Sequence, residues 1–218
     1  MRLLGHEVRA LLETDGSHLR TMVESDRGVR GRIARGGDDL GLVAGCNAHE
    51  ENMHGLERRV LGYHVLVAVV HESRSLRDLS GHALRSAATG HATLWSHLGA
   101  DRPEPIEVVA VAEDAFTDQA SSQVLMGERM ATAGLRLPTD ADVCRYVAEH
   151  ETALGLCSLA AALRCGLAVR VLTVDSVTPS ATEFVAGRYP LAAPVCVLAK
   201  DHHRLAWLDR LPLDALSR

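Results

Sequence analysis

Leu79-Ser-Gly-His-Ala-Leu-Arg-Ser-Ala-Ala-Thr-Gly-His-Ala-Thr-Leu-Trp-Ser-His-Leu-Gly99 separates two apolar runs, Val65-Leu-Val-Ala-Val-Val70 and Ile106-Glu-Val-Val-Ala-Val111. Short apolar runs rich in β-branched residues read as buried strands. Far downstream, Val174-Asp-Ser-Val-Thr-Pro-Ser-Ala-Thr-Glu-Phe-Val-Ala-Gly-Arg-Tyr-Pro-Leu191 precedes a third such run, Pro194-Val-Cys-Val-Leu-Ala-Lys200.

Outward from these stretches, strands and helices alternate. Toward the N-terminus the pattern predicts a strand over residues 2–4, a turn at Gly5-His-Glu7, a helix over 8–13 and a strand over 19–24. Ser25-Asp-Arg-Gly28 follows, then a helix over 29–35, the pair Gly36-Gly37 and a buried strand over 39–44. Residues 46–59 read as a loop plus a charged helix. Beyond 111, helices are expected over 119–130, 141–150 (with Pro138-Thr-Asp140 as its start) and 159–164, capped by Ser158. Strands are expected over 151–157 and 168–174, and a Pro-interrupted amphipathic segment over 205–216. A βαβ alternation implies an α/β protein with a parallel sheet.

With 218 residues, 47% apolar and 23% charged, the chain can bury a substantial core as one domain or two small lobes. Net charge is −5 with no basic run, which argues against nucleic acid as the main partner. No run of 18 apolar residues is present to span a membrane. The N-terminal residues lack the apolar core of a secretory signal. Cys46, Cys144, Cys157, Cys165 and Cys196 are odd in number, lack Cys-x-x-Cys spacing and read as reduced core residues. The compartment expected from both features is the cytoplasm.

The quoted stretches resemble the phosphate-binding substrate-binding proteins of the periplasmic-binding-protein type II superfamily. In that family a buried strand leads to Leu-Ser-x-x-x-Leu, a short helix, a Gly, a Trp and Leu-Gly; later Pro-Ser…Gly-x-Tyr-Pro-Leu precedes a returning strand. The resemblance implies a two-lobed α/β fold with a ligand cleft between lobes. It places lobe I in residues 1–66 and 167–218 and lobe II in 67–166. It also implies a small-molecule ligand, lobe closure on binding and no cofactor.

The family holds a tetrahedral oxyanion with backbone N–H groups at helix starts, hydroxyls, an Arg and a carboxylate. Carried over residue by residue, much of that set is missing. Val111 (or Ala110) stands where the Arg belongs, Ala115 and Phe116 replace Ser-Gly, and Thr117 remains. Glu113, Asp114 and Asp118 make that loop acidic, and Val43-Ala44-Gly45 stands where the family carries Ser-Asp. The ligand set implied for this chain is Glu7, Ser25, Asp26, Arg27, Gly28, Glu113 and Thr117, with Arg27 as the substitute cation. The primary reading is a solute-binding or sensor protein for a small polar ligand other than simple phosphate. The alternative is an enzyme built on the same fold, with His6, Glu7, Glu113 and Asp114 as acid–base groups; a third is a ligand-free module that binds a protein partner.

Two features stand outside that set. Cys46, His49 and His54 are weak candidates for a metal, at a spacing that fits no zinc pattern, against a plain reading as a polar loop. Arg27, Arg30, Arg32 and Arg35 read as the solvated face of a helix, and Trp95 and Trp207 as core residues. The sequence leaves the oligomeric state open.

Overall fold

The computed structural model describes residues 26–36, 40–44, 55–100, 103–112 and 134–206. The elements expected over 2–4, 8–13, 19–24 and 119–130 lie outside these residues, as do residues 46–54 and 207–216.

The chain divides into two units, Met1–Gly62 with Pro194–Arg218, and Tyr63–Ala193. In this division residues 167–193 fall in the second unit. The segment after residue 167 is held by partners inside the second unit, as follows.

In that unit, β2 (Glu57–His71) pairs antiparallel with β6 (Ala153–Ser158), Leu66 opposite Ser158. β6 pairs parallel with β4 (Glu107–Val111), and β4 parallel with β5 (Leu135–Leu137). On β2, the short β7 (Val169–Val171) adds antiparallel at Val69–His71. Val65 through Val70 are all buried, as a continuous apolar run in a sheet covered on both faces should be. β2 is longer than its buried apolar run; the less buried residues from Glu57 to His64 belong to it too, so the loop-and-helix reading of residues 57–59 does not hold.

The two sequence stretches quoted first lie side by side. β3 (Asp78–Leu79) pairs parallel with β8 (Thr173–Val174), a two-stranded sheet. Ser80 then caps α2 (Gly81–Ala88) by accepting from the Ala83 N–H at 3.0 Å. Asp175 and Ser176 follow β8 with φ of 50° and 63°, a tight two-residue reversal closed by the Val174–Val177 bridge. Ser180 caps α5 (Ala181–Val185), so the Pro-Ser pair is a helix start. Past Gly187, in the left-handed region at φ 65°, the Tyr189 hydroxyl donates to the Leu66 carbonyl (3.1 Å), and the Leu66 N–H donates to the Leu191 carbonyl (2.9 Å). Gly-Arg-Tyr-Pro-Leu is thereby fastened to the middle of β2.

Trp95, in a 3-10 turn (Trp95–Leu98), is fully buried. Its indole N–H donates to the Thr152 carbonyl (3.1 Å), and the Arg74 guanidinium lies 4.2 Å from its ring centroid. α3 (Asp140–Glu149) covers the sheet with Val143, Cys144 and Val147, and α4 (Leu159–Arg164) follows β6 directly.

In the first unit, α1 (Asp26–Ala34) packs on β1 (Leu40–Ala44), which pairs antiparallel with β9 (Ala192–Ala199). Ile33, Val43, Cys196 and Leu198 form the centre of its core with Leu56. α1 begins three residues ahead of the expected start, taking in Asp26, Arg27 and Gly28. Arg30, read from sequence as solvated, is 5% exposed, because its position one turn from Ile33 turns it toward the buried side of the helix. Cys196 is disulfide-bonded, so the reading of all five cysteines as reduced does not hold; linear spacing does not reveal which sulfurs meet in space. α6 (His202–Ala206) ends the described chain, with His203 exposed.

Candidate functional site

Of the ligand residues implied by resemblance, Asp26, Arg27 and Gly28 fall on α1 in the first unit. Glu7, Ser25, Glu113 and Thr117 lie outside the described residues. So do His6 and Asp114 of the enzyme reading, and Cys46, His49 and His54 of the metal reading. Among the described residues no group of three or more His, Cys, Asp or Glu side chains is placed to hold a metal ion.

Within the second unit, polar side chains collect where the three parallel strands end. The pairings Val111–Leu137 and Ala110–Leu156 put the carboxyl ends of β4, β5 and β6 at one edge. Open α/β sheets bind ligands at this edge, because each strand hands over there to a loop or a helix start.

Each strand contributes a distinct group. β5 supplies Arg136, whose Nη1 donates to the Val111 carbonyl at 2.9 Å. Directly after β5, Thr139 caps α3: its Oγ1 accepts the Asp142 N–H (3.2 Å) while its hydroxyl donates to Asp142 Oδ2 (2.7 Å). This bond from Thr139, with Arg145 adding to it, holds the Asp142 carboxyl below the ordinary carboxylate range. Asp140, in the same turn, turns to the neighbouring strand and accepts the Ser158 N–H at 2.9 Å. Ser158 ends β6, and its hydroxyl oxygen accepts the Ala161 N–H to start α4 (3.3 Å).

β2 adds His64, two residues before Leu66, the partner of Ser158. Burial pulls the His64 pKa below its ordinary value, and the nearby Asp140 charge pulls it back up by less. The imidazole is therefore neutral near neutral pH. Arg136, Asp140, Asp142, Ser158 and His64 are all partly buried, so each is both anchored and within reach of solvent.

At Val111 itself, where the resemblance calls for Arg, the side chain is 3% exposed and belongs to the core. Sequence reasoning identified the Pro138-Thr-Asp140 helix start and the Ser158 cap but not Arg136 or His64. Arg136 sits in a three-residue strand too short for any period to show. The His64 signal was a lone polar residue at the foot of an apolar run.

No protein-family model matches the chain, and no curated protein matches its sequence. Solved structures do match its fold. An ABC-type phosphate transport receptor from Vibrio cholerae aligns over 93% of this chain and 82% of its own, at 17% identity and a TM-score of 0.80. PstS from Borrelia burgdorferi aligns over 95% and 86%, at 12% identity and a TM-score of 0.71. The regulatory domain of CcmR from Synechocystis, in complex with 2-PG, aligns over 100% and 92%, at 12% identity and a TM-score of 0.55. The chain has the α/β fold of the two-lobed type II periplasmic binding proteins.

Proposed function

We propose that the chain is a solute-binding or sensor domain, and that it takes a small polar ligand at the carboxyl ends of β4, β5 and β6. The observation that carries this reading is the Asp140–Ser158 bond. It joins the start of α3 to the end of β6 and leaves Arg136 and His64 on flanking strands of the same edge. The reading is supported by the fold's similarity to a phosphate transport receptor and to a regulatory domain in complex with 2-PG.

Charge narrows the ligand. Among the described residues, Arg136 and the two carboxylates Asp140 and Asp142 leave the edge without net positive charge. The first turn of α3, whose free N–H groups would attract an anion, is already occupied by the chain's own acids. A bare dianion meets repulsion there that costs affinity. A ligand with hydrogen-bond donors as well as acceptors, such as a zwitterion or a polyol, matches both signs.

Thermal unfolding of the purified chain with amino acids, polyols, phosphate and sulfate tests the reading. A ligand at a hundred times its dissociation constant stabilises by about 2.7 kcal/mol. A raised midpoint with a donor-bearing organic compound, lost in Arg136→Gln, supports it. A shift with phosphate alone replaces it with a simple anion receptor, and no shift with any compound removes the binding function.

A further inference from the structure

Three thiols meet between α3, β6 and the end of α4. Cys144 (α3) and Cys157 (β6) are fully buried, their sulfurs 3.7 Å apart in a thiol–thiol hydrogen bond. Cys165, just after α4, is partly exposed; its thiol donates to the Ala162 carbonyl at 3.1 Å, and it lies close enough to Cys144 for each to perturb the other. All three are free. Among the described residues they do not form part of a group suited to a metal.

The pair is asymmetric. The hydrogen bond from Cys157 holds the Cys144 thiol below the ordinary range, while that same bond, with burial, pushes Cys157 well above it. The first proton to leave the pair is therefore the one on Cys144, and the thiolate is the form that attacks.

We propose that Cys144 and Cys157 form a redox-active dithiol that hydrogen peroxide converts to a disulfide linking α3 to β6. The Cys144 thiolate attacks a peroxide oxygen; an S–O bond forms, the O–O bond breaks, and the leaving hydroxide takes up the proton Cys144 released, giving water and a sulfenic acid. The Cys157 sulfur then attacks the Cys144 sulfur. An S–S bond forms, the S–O bond breaks, and the departing hydroxide takes the Cys157 proton as a second water. Two thiols lose two electrons and two protons, and one peroxide becomes two waters. The sulfurs must close from 3.7 Å to a bond of roughly 2 Å, a displacement within reach of side-chain rotation. Cys165 is the member of the cluster nearest solvent.

Peptide mapping of the full chain tests this. The protein is treated with hydrogen peroxide, then denatured and alkylated with iodoacetamide. The expected result is a peptide pair joined through Cys144 and Cys157, lost on reduction, with the alkylated forms of both disappearing together. Cys165→Ser should retain the link. Cys157→Ser should lose it and make Cys144 reactive toward dimedone; if that variant does not fold, mapping of the unsubstituted chain decides alone. Full alkylation of Cys144 and Cys157 after peroxide, or a link from Cys144 to Cys165 in place of Cys157, overturns the proposal.

Discussion

Arg136 of β5 donates to the carbonyl of Val111 on the adjacent strand β4, at 2.9 Å. Val111 (or Ala110) is where the family resemblance led us to expect an Arg, and both are core residues. A guanidinium therefore stands at the end of β4 although β4 does not encode one. Replacing Arg136 with Gln removes a charged donor from a partly buried carbonyl, at a cost of about 1–3 kcal/mol. The expected outcome is a lower denaturation midpoint with unchanged circular dichroism, and loss of any ligand-induced thermal shift. An undiminished shift in Arg136→Gln would place recognition elsewhere.

Asp140 and Ser158 offer a second test, because the carboxylate does two jobs at once. Asp140→Ala leaves the Ser158 N–H without its acceptor and should destabilise by about 1–3 kcal/mol; Asp140→Asn keeps an acceptor oxygen and should cost less. Both changes remove the charge that raises the His64 pKa against burial. The imidazole should then titrate at still lower pH in both variants, followed by its proton resonances. If the resonances of His64 titrate unchanged in both, the Asp140 charge does not reach it.

What the sequence made legible divides along physical lines. Thr139 and Ser158 were readable because each puts a hydroxyl one residue ahead of a helix, a local device that needs no tertiary knowledge. Val65–Val70 was readable because both faces of β2 are covered. The less buried half of β2 was not, since strand pairing rather than composition extends it. Arg136 escaped because its meaning depends on a neighbour 25 positions earlier in the chain, across a parallel pairing. Arg30 was misjudged because charge alone says solvent, while its place one turn from Ile33 says core. Of the ligand residues taken from resemblance, Asp26, Arg27 and Gly28 belong to α1 and the others lie outside the described residues.

Tyr189 gives a prediction at alkaline pH. Burial raises its phenol well above the ordinary tyrosine value, and its hydroxyl donates to the Leu66 carbonyl. A raised folded-state pKa means that the folded protein holds this proton more tightly than the unfolded chain. The contribution is full below the unfolded value, near 10, and is lost as pH rises from there toward the folded value. Ultraviolet titration should show one tyrosine ionising late, together with unfolding. Tyr189→Phe should abolish that late step and flatten the alkaline fall in stability. A late step that persists in Tyr189→Phe assigns it to another residue.

The tightest test of the packing lies at Gly155, in the middle of β6. A Cβ there would sit 2.7 Å from Val147 Cγ2 on α3, 2.7 Å from Val69 Cγ2 on β2 and 3.1 Å from Val143 Cγ1. All three valines are fully buried, so none can swing into solvent to make room. Glycine is required at this position by close approach, because the helix rests directly on the strand backbone. Gly155→Ala should therefore cost about 1–3 kcal/mol through overpacking, even though alanine is the better residue for a strand in the unfolded-state entropy it removes. Val147→Ala alone should also destabilise, by opening a cavity. Because the two changes meet at one contact, they should not add: the double variant should be more stable than the sum of the single losses allows. Denaturant unfolding of the four proteins measures the coupling. Strict additivity would mean that α3 moves off the sheet as a body rather than resting on Gly155.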